Sequence, residues 1–84
     1  MAENLEQEIK EMLSRLTGLD VSEIGDTDDL INDLGIDSLK VIEIATQLER
    51  TYKVTVKDSE LAKLRKVNEA VEFLRELLAR KKNG

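Results

Sequence analysis

Three apolar stripes at helical spacing govern what this chain can become. Leu5, Ile9, Met12, Leu13 and Leu16 recur every three or four residues with charges between them. Leu39, Ile42, Ala45, Leu48 and Tyr52 repeat the pattern, and Val67, Ala70, Val71, Leu74, Leu77 and Leu78 do so again. Side chains three and four apart share one face of an α-helix, so each stretch must hide that face against another element. A sheet finds almost no material. Lys53-Val54-Thr55-Val56 reads locally as strand, but no second strand exists to pair with it, so it is expected to be an extended link.

The first helix is expected to end at Gly18, a residue suited to the left-handed conformation after a helix. The second runs from Ser38 to about Tyr52, with Leu39, Ile42, Ala45, Leu48 and Tyr52 inward. Asp37 is its N-cap, and Ile36 and Val41 stand where a hydrophobic staple puts its two apolar residues. Asp58 is expected to cap a short helix with Leu61 and Leu64 inward, too short to be stable without tertiary packing. A fourth helix covers residues 67–80, where Arg80, Lys81 and Lys82 suit the negative end of the helix dipole, with a flexible tail at about 81–84. Residues 18–37 show no period. Leu19, Val21, Ile24, Leu30, Ile31 and Leu34 lie among turn formers, which predicts a long loop pinned to the core, with a short helical turn near 28–32. Connections this long are uncommon without a function. The expected fold class is all-α: one domain over 1–84, a small four-helix bundle of three longer helices and one short third helix.

Composition removes whole classes of chemistry. The 84 residues contain no cysteine and no histidine, so there is no disulfide framework, no thiolate metal site and no imidazole base. No apolar run approaches the ~20 residues that span a bilayer, and no signal-peptide core follows the N-terminus, so a cytoplasmic protein without membrane insertion is expected. The net charge of −5 is uneven: residues 18–37 hold seven acids and no base, whereas residues 61–84 hold seven bases and three acids. An acidic loop repels nucleic acid and attracts basic partner surfaces. Tyr52 and Phe73 are the only aromatic residues, so no base-stacking platform exists.

Leu34-Gly35-Ile36-Asp37-Ser38-Leu39 joins that acidic loop to the second helix. With Asp37 as cap, Ser38 is the first helical residue and its hydroxyl is free to face solvent at the positive end of the helix. A phosphate ester there would sit where helix N-termini favour anions, which points to a carrier rather than a catalyst. A serine hydrolase would need a base beside Ser38 and a Gly-x-Ser-x-Gly elbow, and neither is present. Asp26-Thr27-Asp28 begins like an EF-hand loop but fails at Leu30 and Ile31, where an acid or amide and a glycine are required. No Gly-rich phosphate loop occurs. No catalytic residue and no metal site is expected.

With these residues in place the chain resembles the acyl carrier protein family over nearly its whole length. The family's Leu-Gly-x-Asp-Ser-Leu, followed by an apolar residue and Glu, stands here as Leu34-Gly35-Ile36-Asp37-Ser38-Leu39, then Ile42 and Glu43. The loop matches from Gly18-Leu19 through Ile24 to Asp33, and Tyr52 and Val56-Lys57-Asp58 match the later segments. The resemblance implies that Ser38 receives 4′-phosphopantetheine from coenzyme A, that Asp37 helps place the serine, and that Gly35 allows a tight turn and a close approach by a partner. It implies that Leu39, Ile36 and Glu43 border the arm and form a recognition patch with Val41 and Lys40. Implied partners are a phosphopantetheinyl transferase and acyl-activating, acyl-transferring or condensing enzymes, served by a monomer. In members that hold long acyl chains, cargo enters between the second and third helices.

Three departures stand out. Lys40 and Arg50 occupy positions that are usually acidic in fatty-acid-synthase carriers, Lys57 replaces a proline, and Lys66 stands where a capping Ser or Thr is frequent. Two readings of Lys40 and Arg50 follow: plain surface variation, or a carrier for a dedicated pathway whose partners are less basic. The Ile36-Asp37 pair is more similar to acyl and polyketide carriers than to peptidyl carriers. The alternatives are an aminoacyl or D-alanyl-type carrier, and an unmodified helical interaction module with the carrier fold.

Overall fold

The computed structural model describes residues 4–83. The element order is α1 (Leu5–Thr17), a 3-10 turn (Val21–Glu23), α2 (Ser38–Tyr52), a 3-10 helix (Asp58–Lys63) and α3 (Val67–Asn83). This is the expected helical bundle, and among the described residues the only extended pairing is one antiparallel bridge between Asp29 and Lys66. The short third helix is 3-10 rather than α. Its N-cap position is Lys57, not the expected Asp58, and Glu60 Oε1 accepts the Lys57 backbone N–H at 3.1 Å.

Helix α1 ends as its sequence requires. Gly18 adopts φ +81° and donates its N–H to the Ser14 carbonyl at 2.8 Å. Leu5, Ile9, Met12 and Leu13 are buried, with Leu16 half-buried beside them, and α1 packs mainly against α3. Helix α3 contributes Val67, Ala70, Val71, Phe73, Leu74 and Leu77 to the core. It continues through Asn83, past the end expected near residue 80. The tail expected to be flexible is therefore helical at 81–83, while Gly84 and the Lys82 side chain lie outside the described residues.

The inward stripe of α2 differs from the expectation. Val41, Ile44, Ala45 and Leu48 are buried, whereas Leu39 and Ile42 are 72% and 48% exposed. The reason is geometric. Nine residues make two and a half turns at 3.6 residues per turn, so Leu39 lies opposite Leu48 on the cylinder. Val41, seven residues before Leu48, lies within about 20° of it. Repeated steps of three drift around the helix, and the spacing alone did not reveal the drift.

The loop between α1 and α2 is fixed by backbone pairing that the sequence gave no hint of. Leu30 N–H donates to the Arg65 carbonyl at 2.8 Å, Val67 N–H to Asp28 O at 3.1 Å and Asn68 N–H to Asp26 O at 2.8 Å. The last two satisfy N–H groups at the start of α3 that would otherwise lack intrahelical partners. A capping Ser or Thr at position 66 is thus unnecessary. Lys53, expected to begin an extended link, instead closes α2 in the left-handed conformation at φ 58°. Residues 54–57 after it are neither helix nor strand, and Glu49 Oε2 accepts the Val56 N–H at 2.8 Å in place of a neighbouring strand.

Candidate functional site

Gly35 holds φ +72°, a backbone conformation that L side chains rarely adopt, and so turns the chain sharply just before α2. Ile36 follows, 1% exposed, its N–H bound to the Leu30 carbonyl at 2.9 Å. This anchors the entry to α2 on the core. Asp37 is the N-cap as expected: its backbone is extended and its Oδ1 accepts the Lys40 N–H at 3.0 Å. Ser38 begins the helix with an exposed side chain, and no hydrogen bond of the cap uses its hydroxyl.

Two members of the expected recognition patch are in the core instead. Ile36 at 1% exposure and Val41 at 8% occupy the staple positions on either side of the cap, and of the two only Val41 reaches the surface, at the wall of a cleft. Leu39 and Glu43 are exposed and Lys40 is half-buried. The site residues sequence reasoning missed are Ile31, Ala62 and Arg65. Together with Ser38, Val41, Ile42, Leu61 and Leu64 they line an open cleft of about 280 Å³ between α2 and the 3-10 helix. Except for Ser38 and Arg65 the lining is apolar. Ile31 left a trace in the sequence as an apolar residue among turn formers, but nothing said that it would stand beside α2.

The acidic loop has more internal work than its charge suggested. Asp29 Oδ1 accepts the N–H groups of Ile31 at 2.9 Å and Asn32 at 3.0 Å. Asp33 takes the Asp29 N–H, Asp28 the Gly25 N–H and Glu23 the Asp20 N–H. The Asn32 N–H bond is the main reason the Asp29 carboxyl is held below its usual value, helped by the Ile31 N–H and the charges of Arg65 and Lys66. Asp26 is lowered chiefly by Lys10, whose Nζ lies 2.7 Å away, and this pair ties the loop to α1. Tyr52 is half-buried at the end of α2, donates to Glu8 on α1, and has its hydroxyl pKa pushed up by burial and then by that carboxylate.

Among the described residues no group of acids or other ligand-bearing side chains is arranged to hold a metal ion, and no helix is long and apolar enough to cross a membrane.

The phosphopantetheine attachment site family matches residues 7–74, which include the whole Gly35–Leu39 turn. The chain belongs to that family. The meromycolate extension acyl carrier protein of Mycobacterium tuberculosis is 41% identical over 69 residues, covering 82% of this chain and 60% of that protein. The chain therefore spans less than two thirds of those curated relatives. An acyl carrier protein of Rhodococcus erythropolis is 38% identical over 77 residues, covering 92% of this chain and 85% of its own. Among solved structures, the apo doublet acyl carrier protein from prodigiosin biosynthesis superposes with a TM-score of 0.72 at 30% identity, over 86% of this chain and 35% of that one. The acyl carrier protein from Enterococcus faecalis gives 0.74 at 22% identity over 87% and 92%, a likeness of fold. Family membership identifies residues 7–74 as a phosphopantetheine attachment domain, which implies covalent 4′-phosphopantetheine. The site suits such a group: an exposed hydroxyl at a helix start, relieved of capping by Asp37, opens beside an apolar cleft.

Proposed function

We propose that Ser38 is the attachment point of 4′-phosphopantetheine and that the protein is a monomeric cytoplasmic acyl carrier. The carrying observation is the exposed Ser38 hydroxyl on the first turn of α2, left free because Asp37 makes the cap bond to Lys40. When attached, the group supplies a thiol that holds an acyl chain as a thioester. The protein's own residues present and shield. Asp37 orients the first turn, and the N-terminal end of α2 favours the phosphodiester's negative charge. Gly35, with no Cβ, keeps the approach to Ser38 open for the transferase, which supplies the activation this chain lacks. Leu39 and Ile42 offer apolar contact to docking enzymes, and Lys40 and Glu43 border it with opposite charges. Lys40 and Arg50, standing on α2 in place of acids, support a carrier for a dedicated pathway of lipid or polyketide type. The partners in this reading are a phosphopantetheinyl transferase and acyl-activating, acyl-transferring or condensing enzymes.

Intact mass after incubation with coenzyme A and a broad-specificity phosphopantetheinyl transferase tests the assignment. A gain of one phosphopantetheine that vanishes in Ser38→Ala is expected, with the helical circular dichroism of the variant unchanged. A gain that persists in Ser38→Ala would place the arm elsewhere.

A further inference from the structure

Arg65 is the one charged side chain on the lining of the cleft that opens beside Ser38. Its backbone is fixed. The carbonyl accepts the Leu30 N–H at 2.8 Å, and the flanking Leu64 and Val67 are both buried. Its guanidinium is uncommitted: among the described residues it forms neither an ion pair nor a side-chain hydrogen bond. Asp29 feels its charge, but the Asp29 Oδ1 already takes two backbone N–H groups. Arg65 is exposed at the cleft's edge, where its guanidinium keeps its water and a hydrocarbon filling would give it no partner. A planar guanidinium does match an oxyanion, through two parallel charge-assisted hydrogen bonds.

We infer that Arg65 is an oxyanion-binding residue of this cleft, receiving an anionic group carried on the arm of Ser38. The inference rests on the carrier reading above. Two groups have the required chemistry: the phosphodiester that joins arm to serine, and a carboxylate on the far end of a dicarboxylic acyl cargo. The phosphodiester is present whatever the cargo, whereas a carboxylate would make the cleft selective.

The test uses the full chain in four forms: unmodified, holo, butyryl-loaded and succinyl-loaded, each verified by intact mass. Failure to load is thereby read separately and tells against the carrier reading alone. In each loaded form, hydrogen exchange of the Arg65 guanidinium N–H groups is followed by NMR. Slowing by severalfold between the unmodified and holo forms assigns the phosphodiester. Slowing confined to the succinyl form, with butyryl unchanged from holo, assigns the cargo carboxylate. Arg65→Gln should abolish the difference in backbone shifts that the same step produces around Leu61, Ala62 and Ile42, and Arg65→Lys should retain part of it. Exchange that stays equal in all four forms would overturn the inference.

Discussion

The loop at 18–37 and the first two turns of α2 have exchanged the roles their compositions suggest. The loop carries seven acids and no base, the mark of a solvated surface, yet Ile24, Leu30, Leu34 and Ile36 from it are buried. Its carboxylates accept backbone N–H groups from the loop itself, so much of its acidity is structural. Helix α2, by contrast, starts a clean apolar stripe and leaves Leu39 and Ile42 in solvent. A backbone with no helical or strand ladder must still pair its N–H groups, and short carboxylates are the nearest acceptors. A regular helix pairs its own, so its side chains are free to be used outward. Acid content therefore reports here on backbone irregularity as much as on partner choice.

Truncating one buried loop residue and one exposed helix residue would break this contrast most directly. Leu30 is fully buried, and Leu30→Ala should destabilise the protein by about 2–5 kcal/mol in urea denaturation. Against a total of about 5–15 kcal/mol that is close to unfolding. A loss no larger than that of a surface substitution would show the loop to be a covering and not part of the core.

Acid should expose the structural carboxylates next. Asp29, Asp26 and Glu60 all have folded-state values below their usual ones, set first by the Asn32 N–H, by Lys10 and by Arg80 respectively. Between the folded and unfolded values the unfolded chain binds more protons, so these groups stabilise fully above the unfolded values and cease to do so as pH falls through the folded ones. Melting temperature should hold from neutrality to about pH 5 and fall below about pH 4. An Asp29→Asn variant should show a shallower acid fall, and an unaltered profile would detach Asp29 from it.

Asp37→Ala removes the one cap bond that serves the helix. It should cost about 1 kcal/mol, a fall of several degrees in Tm, and slow modification of Ser38. Equal Tm would mean that the N-terminal turn of α2 is held by the Ile36 and Val41 staple alone. Leu39→Ala is the smallest in stability, within about 0.5 kcal/mol, because the side chain is already in water. Its effect should be on acyl delivery to a partner enzyme, and undiminished transfer would remove Leu39 from the docking surface.

Much of the fold was legible because it is local. The ends of α1 and α2, the Gly18 turn and the Asp37 cap follow from neighbouring residues and from the orphan N–H and C=O groups every helix leaves. The Ser38 position was legible for the same reason, since a cap and the residue after it are adjacent in sequence. Periodicity marked α2 as amphipathic but did not select its face: it turned Leu39 and Ile42 inward, whereas the staple reading placed Ile36 and Val41 on the core. The resemblance put those two with Leu39 in a recognition patch of which only Leu39 is exposed.

The sequence by itself determined the class, the helix count and the serine at the start of α2, all of them consequences of spacing and short-range hydrogen bonding. Only the tertiary structure decided which side of α2 meets solvent, how Asp26 and Asp28 cap a helix more than thirty residues away, and that Arg65 shares a cleft with Ser38. Those outcomes depend on how distant segments pack. Packing selects among arrangements that the same local pattern allows, because only one of them buries the apolar side chains and pairs the remaining backbone groups at once.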